Sequence, residues 1–500
     1  MSRKRAYMII NPRAGQNVVK IADLIAVLSA VGWRTEIALK EFGGQSMELA
    51  TRAVKANCDL VIGYGGDGTL NQVLNGAMNA RKRSSAIGVI PGGTANVWAA
   101  EIGVPSDPVK AALALVDSET RKIDIGHVEV QGLVFPGMTH DKQEKGRQKK
   151  EKQVRKSPLK ATPGAKHHFL LMAGLGLDAS IMEHVSKPFK YEVGRLAVGL
   201  AAAEELPKQH PFPLEVHVSG GEHEDKMVWE GEALQVIIGN TRRYANIVQM
   251  TPGAYLDDGV LDVCVVTAGN ALTTLEEIAS LLFRRRPDAE ATKYFRGASI
   301  TIRVPASIDL QLDGSAVRLK DYLSKAERKV LQNGGNAEKA IVTYRFNAMP
   351  HAVQVAIPSS YNGALFEHPM AEEEPSGASQ QQRTEDKTQQ CDRDVQEGHQ
   401  ETPELVGRLL EHGYKVTVVG AAAHPGKQHR YIIAGTIPHQ MTGDTRPVAI
   451  RVNGSATVLT PSGKPVSPGL VQGLQEGTVI VAVGKKSKYG VIRATHLVLP

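Results

Sequence analysis

The sequence predicts a parallel α/β domain of Rossmann-like type, a following antiparallel β domain and a small β barrel at the C-terminal end. Three observations predict this. From residue 7 to about 115, short apolar strands alternate with amphipathic helices, the pattern of a parallel sheet with crossover helices. After Ile123 the texture changes to strand-like runs, among them IDIGHVEV, HHFLLMAG, PLEVHV, EALQVIIGN, GVLDVCVV, ASITIRV and ASIDLQLDG, separated by Gly, Pro and Asp turns. Beyond a Glu-, Gln- and Ser-rich stretch at 359–402, the runs YKVTVV, RYIIAG, PVAIRV, TVIVAVG and GVIRATHLVL suggest a barrel with OB-like closing strands.

In chain order, residues 7–10 read as a strand that stops at the turn Asn11-Pro12-Arg13-Ala14-Gly15. Ile21, Leu24, Ile25 and Leu28 then fall at helical spacing within 19–31. A second strand follows at 35–39, a second helix at 46–56 and a third strand at 60–63. A helix over 70–78, a strand over 87–90 and a helix starting near Ala95 complete the unit. Within the β region, helical stretches are expected at 190–205 and near 272–283, and an insertion at about 317–340 looks partly helical. The 500 residues thus divide at 1–122, 123–358, a linker at 359–402, and 403–500.

Hydrophobic residues make up 42% of the chain and charged residues 22%, so large cores are affordable and a wholly disordered chain is excluded. Aromatics at 5% exclude a large stacking surface. The net charge of +7 is local: residues 141–166 hold ten Lys or Arg against three acids, leaving 49 of each sign elsewhere. That run, inside 138–166, lacks apolar periodicity and reads as a solvated, disordered insertion. Cys58, Cys264 and Cys391 form no CxxC pair, which excludes a disulfide framework and points to a reducing cytoplasm. No window approaches the roughly 18–20 apolar residues that span a bilayer, so any membrane contact is expected to be peripheral.

Chemistry concentrates in the turns that follow the parallel strands. Gly63-Tyr64-Gly65-Gly66-Asp67-Gly68-Thr69-Leu70-Asn71 lies between a strand and a helix, where glycines admit an anion and a helix N-terminus favours phosphate. An acid in such a loop implies a cation, a transferable proton, or both. Pro91-Gly92-Gly93-Thr94-Ala95-Asn96 has the same context, with Thr94 placed to cap a helix and to hold phosphate. Together with Asn11–Arg13 and the following Ala14 and Gly15, these turns are expected to meet at the C-terminal edge of the sheet. GxxxxGK[ST] does not occur, which excludes a P-loop enzyme.

INPRAG, the GGDGT loop and PGGTAN, spaced as here, resemble the diacylglycerol kinase catalytic family, which includes bacterial lipid kinases and sphingosine and ceramide kinases. AGLGLDASIMEHVSKPFKYEVGRLAV, IIGNTRRYA, TPGAYLDDGVLDVCVV and NAMPHAVQVAIP extend the resemblance over about residues 5–358. The resemblance implies an α/β ATP-binding domain, a β-sandwich domain, and transfer of phosphate from ATP to a lipid hydroxyl in the cleft between them. It implies that Asn11, Pro12, Arg13, Ala14 and Gly15 contact nucleotide, that Gly65, Gly66, Asp67, Gly68, Thr69, Leu70 and Asn71 cradle phosphates, and that Thr94 is a further ATP ligand. Asp67 is then the essential acid, Asp258 with the carbonyls of Tyr255 and Val260 a Mg2+ site, and Asp124 a residue that orders the cleft.

The chain departs from this pattern at Leu312-Asp313-Gly314-Ser315, where family members commonly carry Asp-Gly-Glu with Glu as the base. Serine is no base at neutral pH without a partner. Either Asp67 takes that role, Asp313 supplies it, or the chain is a weak kinase or a kinase-like sensor of nucleotide or lipid. NAD kinase shares a GGDGT loop and is the third alternative, although INPRAG, PGGTAN and the LDDG turn favour the lipid branch. Lys187, Phe189, Lys190, Tyr191, Arg195 and the run LLFRRR are expected to meet anionic lipid. The partners expected are thus a lipid at the membrane surface, reached from the cytoplasm, and a second copy of the chain. Nucleic acid is not expected for the kinase core and is left open for the C-terminal module, whose tip carries Lys485, Lys486, Lys488 and Tyr489.

Overall fold

Four parallel strands and their crossover helices form the N-terminal part of the computed structural model. It describes residues 4–13, 21–80, 85–134, 165–176, 211–220, 223–244, 248–267, 292–324, 328, 340–367, 403–423, 430–438, 445–487 and 491–500. The elements are β1 (Arg5–Ile10), α1 (Ile21–Ala30), β2 (Arg34–Leu39), α2 (Gln45–Lys55), β3 (Leu60–Gly65), α3 (Asp67–Asn79), β4 (Ala86–Pro91), α4 (Val97–Glu101) and α5 (Pro108–Val116). Strand order is β4-β3-β1-β2, all parallel. β3 and β4 are buried at every residue, as expected of strands covered on both faces. Residues of α2 and α3 pack in one core and those of α1 and α5 in another. Asp107 starts α5 by accepting the N–H groups of Val109 (2.9 Å) and Lys110 (3.0 Å), with Pro108 in the first turn.

α3 begins at Asp67, three residues before the apolar pattern suggests. Gly66 leaves β3 in an extended conformation and its carbonyl accepts the N–H groups of Thr69 and Leu70. The glycine loop is therefore itself the first turn of the helix. α4 is short and starts at Val97 rather than Ala95.

The β domain comprises β5 (Ser118–Val134), β6 (His168–Phe169), β7 (Met172–Gly176), β8 (Phe212–Gly220), β9 (His223–Gly239), β10 (Arg243–Tyr244), β11 (Val248–Gln249), β12 (Leu261–Thr267), β13 (Thr292–Gly297), β14 (Ser299–Pro305), β15 (Leu310–Leu312), β16 (Ser315–Val317) and β17 (Ile341–Pro358). Alternate residues such as Leu214, Val216, Val218, Ile300, Ile302 and Val304 point into its core, the period-two pattern of half-buried strands. β17 joins the two domains into one sheet. It runs antiparallel to β5 and β14, while Gln354 and Val355 pair in parallel with Ala86 and Ile87 of β4. Its pairing with β5 is broken by a bulge between Met349 and Val353, where His351 takes a left-handed conformation. The helices expected at 190–205 and 272–283, and the basic run up to residue 164, lie outside the described residues.

At the C-terminal end, α6 (Pro403–His412) precedes β18 (Tyr414–Ala423), β19 (Tyr431–Pro438), β20 (Thr445–Leu459), β21 (Val479–Lys486) and β22 (Val491–Val498). They close into a barrel in the order β18-β19-β20-β22-β21, with β20 and β22 parallel and the other pairs antiparallel. Val416, Val418, Ile433, Ile450, Val452, Ile480 and Ile492 fill it. The barrel also has an apolar outer patch, Ile432, Ala434, Ala449 and Val491, buried in the same core as Leu24, Val27 and Leu113 of α1 and α5. The module is docked on the α/β domain through that core. Among the described residues, no helix is long and apolar enough to cross a membrane.

Candidate active site

The ends of β1, β3 and β4 are neighbours in register, Ile10 beside Tyr64 and Tyr64 beside Ile90, so the turns that follow them are brought together. Asn11 donates its backbone N–H to the Tyr64 carbonyl (3.0 Å) and its side-chain amide to Thr69 Oγ1 (3.4 Å). Its own Oδ1 accepts the N–H of Arg13 (3.2 Å). Pro12 and Arg13 form an exposed turn, and Ala14 and Gly15 lie outside the described residues.

The two glycine loops touch through their backbones. A Cβ on Gly93 would lie 2.5 Å from the Gly66 Cα, and one on Gly65 would lie 2.6 Å from Thr69 Oγ1. Glycine is required at both by close approach. The N–H of Gly92 donates to the Gly65 carbonyl (3.0 Å), and Asn96 closes its own loop through Gly93 N–H (2.9 Å) and Gly93 carbonyl (2.7 Å). Asn96, in a left-handed conformation, is the residue that starts α4. The capping oxygens come from Asp67, whose carboxylate accepts the N–H groups of Val97 (3.0 Å) and Trp98 (3.1 Å). Thr94 lies two residues before Asn96 and is not the cap that the sequence suggests. Asp67 thus locks the second loop to the first, with its carboxylate turned to one side by two donors.

Asp313 meets α3 at Asn71, one turn on from Asp67. Both it and Gly314 have positive φ, which folds the β15–β16 turn tightly over the helix. Its buried carboxylate accepts four hydrogen bonds, from Asn71 Nδ2 (2.8 Å) and from the N–H groups of Leu170 (2.8 Å), Leu171 (2.8 Å) and Met172 (3.1 Å). Burial pushes the Asp313 acid up from the ordinary carboxylate range, and these donors oppose it. None of the four can accept a proton, so they favour the carboxylate. Two positions on, the Ser315 hydroxyl stands over the helix start: a Cβ on Gly68 would lie 3.3 Å from Ser315 Oγ. Asn75, one turn below Asn71, accepts the N–H groups of His167 and His168 at 3.0 Å each and donates to the His168 carbonyl.

Residues 5–128 match the diacylglycerol kinase catalytic domain, and residues 172–356 match the YegS C-terminal NAD kinase beta sandwich-like domain. The chain carries a diacylglycerol kinase catalytic domain. It is an enzyme of the lipid kinase class, and nucleotide use comes with that class. The chain is similar to a diacylglycerol kinase of Staphylococcus epidermidis, 28% identical over 319 residues, which are 62% of this chain and 86% of that protein. A diacylglycerol kinase of Bacillus subtilis is 26% identical over 314 residues, covering 62% and 89% of the two chains. A crystal structure of a putative diacylglycerol kinase from Bacillus anthracis superposes with a TM-score of 0.51 at 20% identity, over 73% of this chain and 97% of that one, a likeness of fold. Both domain matches end before the barrel.

The kinase's LDDG turn is tied to β5 and β17 by Asp124, which is fully buried. Asp124 accepts Gly259 N–H (2.6 Å) on one oxygen, and His351 N–H (2.7 Å) with His351 Nδ1 (3.1 Å) on the other. It links the turn to the β17 bulge. Asp258 is a poorer match to the magnesium ligand expected there. Its carboxylate accepts Val260 N–H (3.0 Å) and pairs with the Arg296 guanidinium, whose Nε also lies 3.4 Å from Asp262. Arg242 and Arg296 both lie over the Tyr255 ring, at 4.8 and 5.9 Å. Burial pushes Asp258 and Asp262 up to about 6, and Arg296 opposes the rise for both. A cation already occupies the carboxylate, so the residues do not fit a magnesium ion here. Among the described residues no cluster of three or more His, Cys, Asp or Glu could hold a metal.

Sequence reasoning missed Lys166, which it placed at the end of the basic run. Its carbonyl accepts the Tyr322 hydroxyl, and its ammonium is near enough to Asp313 and Lys40 to feel both charges. Burial pushes it down to about 8, with Asp313 raising and Lys40 lowering it further. The only signal available in the sequence was position, directly before the strand HHF. The expected lipid-contact residues Lys187, Phe189, Lys190, Tyr191, Arg195 and 281–286 lie outside the described residues.

Proposed function

We propose that this kinase transfers the γ-phosphoryl group of magnesium-bound ATP to the hydroxyl of a diacylglycerol-like or sphingoid lipid at a membrane surface. The observation that carries the reading is the backbone contact of Gly66 with Gly93, with Asp67 between the loops and Ser315 above Gly68. Phosphoryl transfer passes through a loose transition state, so the chain's task is to position the reactants and neutralise charge. The positive N-terminal end of α3 receives phosphate oxygens, and Asn11 and Thr69 border it. Lys40 and Lys166 add positive charge on the Asp313 side. Asp67, partly exposed at the start of α3, accepts the lipid hydroxyl proton as the oxygen attacks the γ-phosphorus. Asp313, saturated by its donors, positions α3 against β7 and does not exchange protons with substrate. The Staphylococcus and Bacillus relatives are named diacylglycerol kinases, which makes diacylglycerol the first lipid to test.

A second reading, a kinase-like sensor with little turnover, is favoured by the hydroxyl of Ser315 where family members commonly place a carboxylate. Radiolabelled ATP with liposomes holding diacylglycerol or sphingosine, and with NAD in a parallel reaction, separates the readings. Labelled phospholipid at a catalytic rate supports the kinase, and labelled NAD phosphate overturns the lipid assignment. Under the sensor reading, Ser315→Glu raises a near-zero rate at least about tenfold; under the kinase reading it changes the rate little.

A further inference from the structure

The barrel carries a row of cations that the kinase reaction does not use. By strand register Arg451 of β20 lies beside Arg493 of β22, and Arg493 beside Lys485 of β21. On the other flank Arg451 faces Ile432 of β19, part of the patch buried against α1 and α5. Two residues before Arg451 and Arg493 on the same outer face, Ala449 and Val491 belong to that buried patch. The row therefore runs along the seam between barrel and α/β domain.

Like charges directly opposite one another on a sheet repel and destabilise it unless an anion lies between them. Among the described residues no acidic side chain pairs with Arg451, Arg493 or Lys485, and the Nε of Arg451 is buried without a hydrogen-bond partner. Asn453, next on the same face of β20, also has a buried, unpartnered Oδ1. Burial lowers the Arg451 guanidinium from its ordinary value, and Arg430 and Arg493 lower it further. Arginine and lysine held at this spacing are a recognition set for phosphate oxygens, guanidinium giving bidentate contacts and ammonium a point charge. Neighbouring strands are about 4.8 Å apart, so three long side chains in one row converge on a single small anion. A nucleic acid strand calls for a longer basic track with exposed aromatic platforms.

We propose that Arg451, Arg493 and Lys485 form a binding site for one phosphate group at the seam between the barrel and the kinase body. The group is carried by a soluble phosphate compound or by a phosphomonoester lipid headgroup; the chemistry is shared and the test separates the sources. Calorimetry of the full chain with pyrophosphate at matched ionic strength reads the soluble source. Flotation with phosphatidylcholine vesicles, with and without phosphatidic acid, reads the headgroup. Either signal, saturable in the wild type, weakened at least about tenfold by Arg493→Glu and unchanged by Lys415→Glu on β18, supports the site. Arg493 and Lys415 are both exposed, and matching melting curves establish that each variant folds. Because pyrophosphate also suits the kinase cleft, only the Arg493-dependent part counts. No Arg493-dependent binding of either probe overturns the proposal. So does single-stranded DNA binding that depends on Arg493 when both phosphate probes do not.

Discussion

Asp67-Gly68 and Asp313-Gly314 share a dipeptide and meet at one helix, yet the fold gives them different surroundings. Asp67 begins α3 at the cleft, partly exposed, with two backbone donors on its carboxylate. Asp313 is 4% exposed, left-handed in its backbone, and accepts four hydrogen bonds that leave no room for substrate. An Asp-Gly pair in a turn does not by itself announce chemistry. What separates the two is exposure: Asp67 stands partly exposed at the helix start, and Asp313 is buried beneath its donors.

The largest effect is expected at Asp67. Asp67→Asn should lower lipid phosphorylation by about a hundredfold to ten-thousandfold, while melting shifts by the loss of one cap, about 1 kcal/mol. Unchanged turnover would remove Asp67 from the reaction. Asp313→Ala should act the other way, costing about 3–5 kcal/mol in urea unfolding because three backbone N–H groups lose a buried anion. An Asp313→Asn protein of wild-type stability without activity would show that the buried acid takes part in the chemistry.

Arg296 extends the comparison to a second pair of acids. Folded Asp258 and Asp262 hold their protons to about 6, above the ordinary 3.8, so their contribution to stability is fullest below pH 3.8 and is lost as pH rises through 6. Arg296→Ala should therefore cost about 1 kcal/mol at pH 8, screened by water around the half-exposed guanidinium, and much less at pH 5. A cost independent of pH would break the assignment, and magnesium-dependent melting of the wild type would restore the metal to the LDDG turn. The smallest effect is at Lys166. Its ammonium loses a proton as pH rises through about 8, so turnover should fall on the alkaline side. Lys166→Arg should keep its charge and move that limb upward by a unit or more; an unmoved limb would exclude Lys166 as its origin.

The sequence by itself determined the parallel α/β pattern, the position of the barrel and the glycine loops, because strand and helix periodicity and turn chemistry are local properties. Gly65, Gly66 and Gly93 stand out in it because close backbone approach demands glycine wherever it occurs. The start of α3 at Asp67 was hidden, since a helix's first turn is polar and glycine-rich here and carries no apolar period. Only the tertiary structure decided that Asp67 caps α4, that Asp313 is a buried anchor, that Arg296 holds Asp258, and that Lys166 meets Tyr322 and feels the charge of Asp313. Each of those facts rests on partners from 30 to 242 residues away, and pairing at such distances depends on how the sheet through β17 brings the chain together.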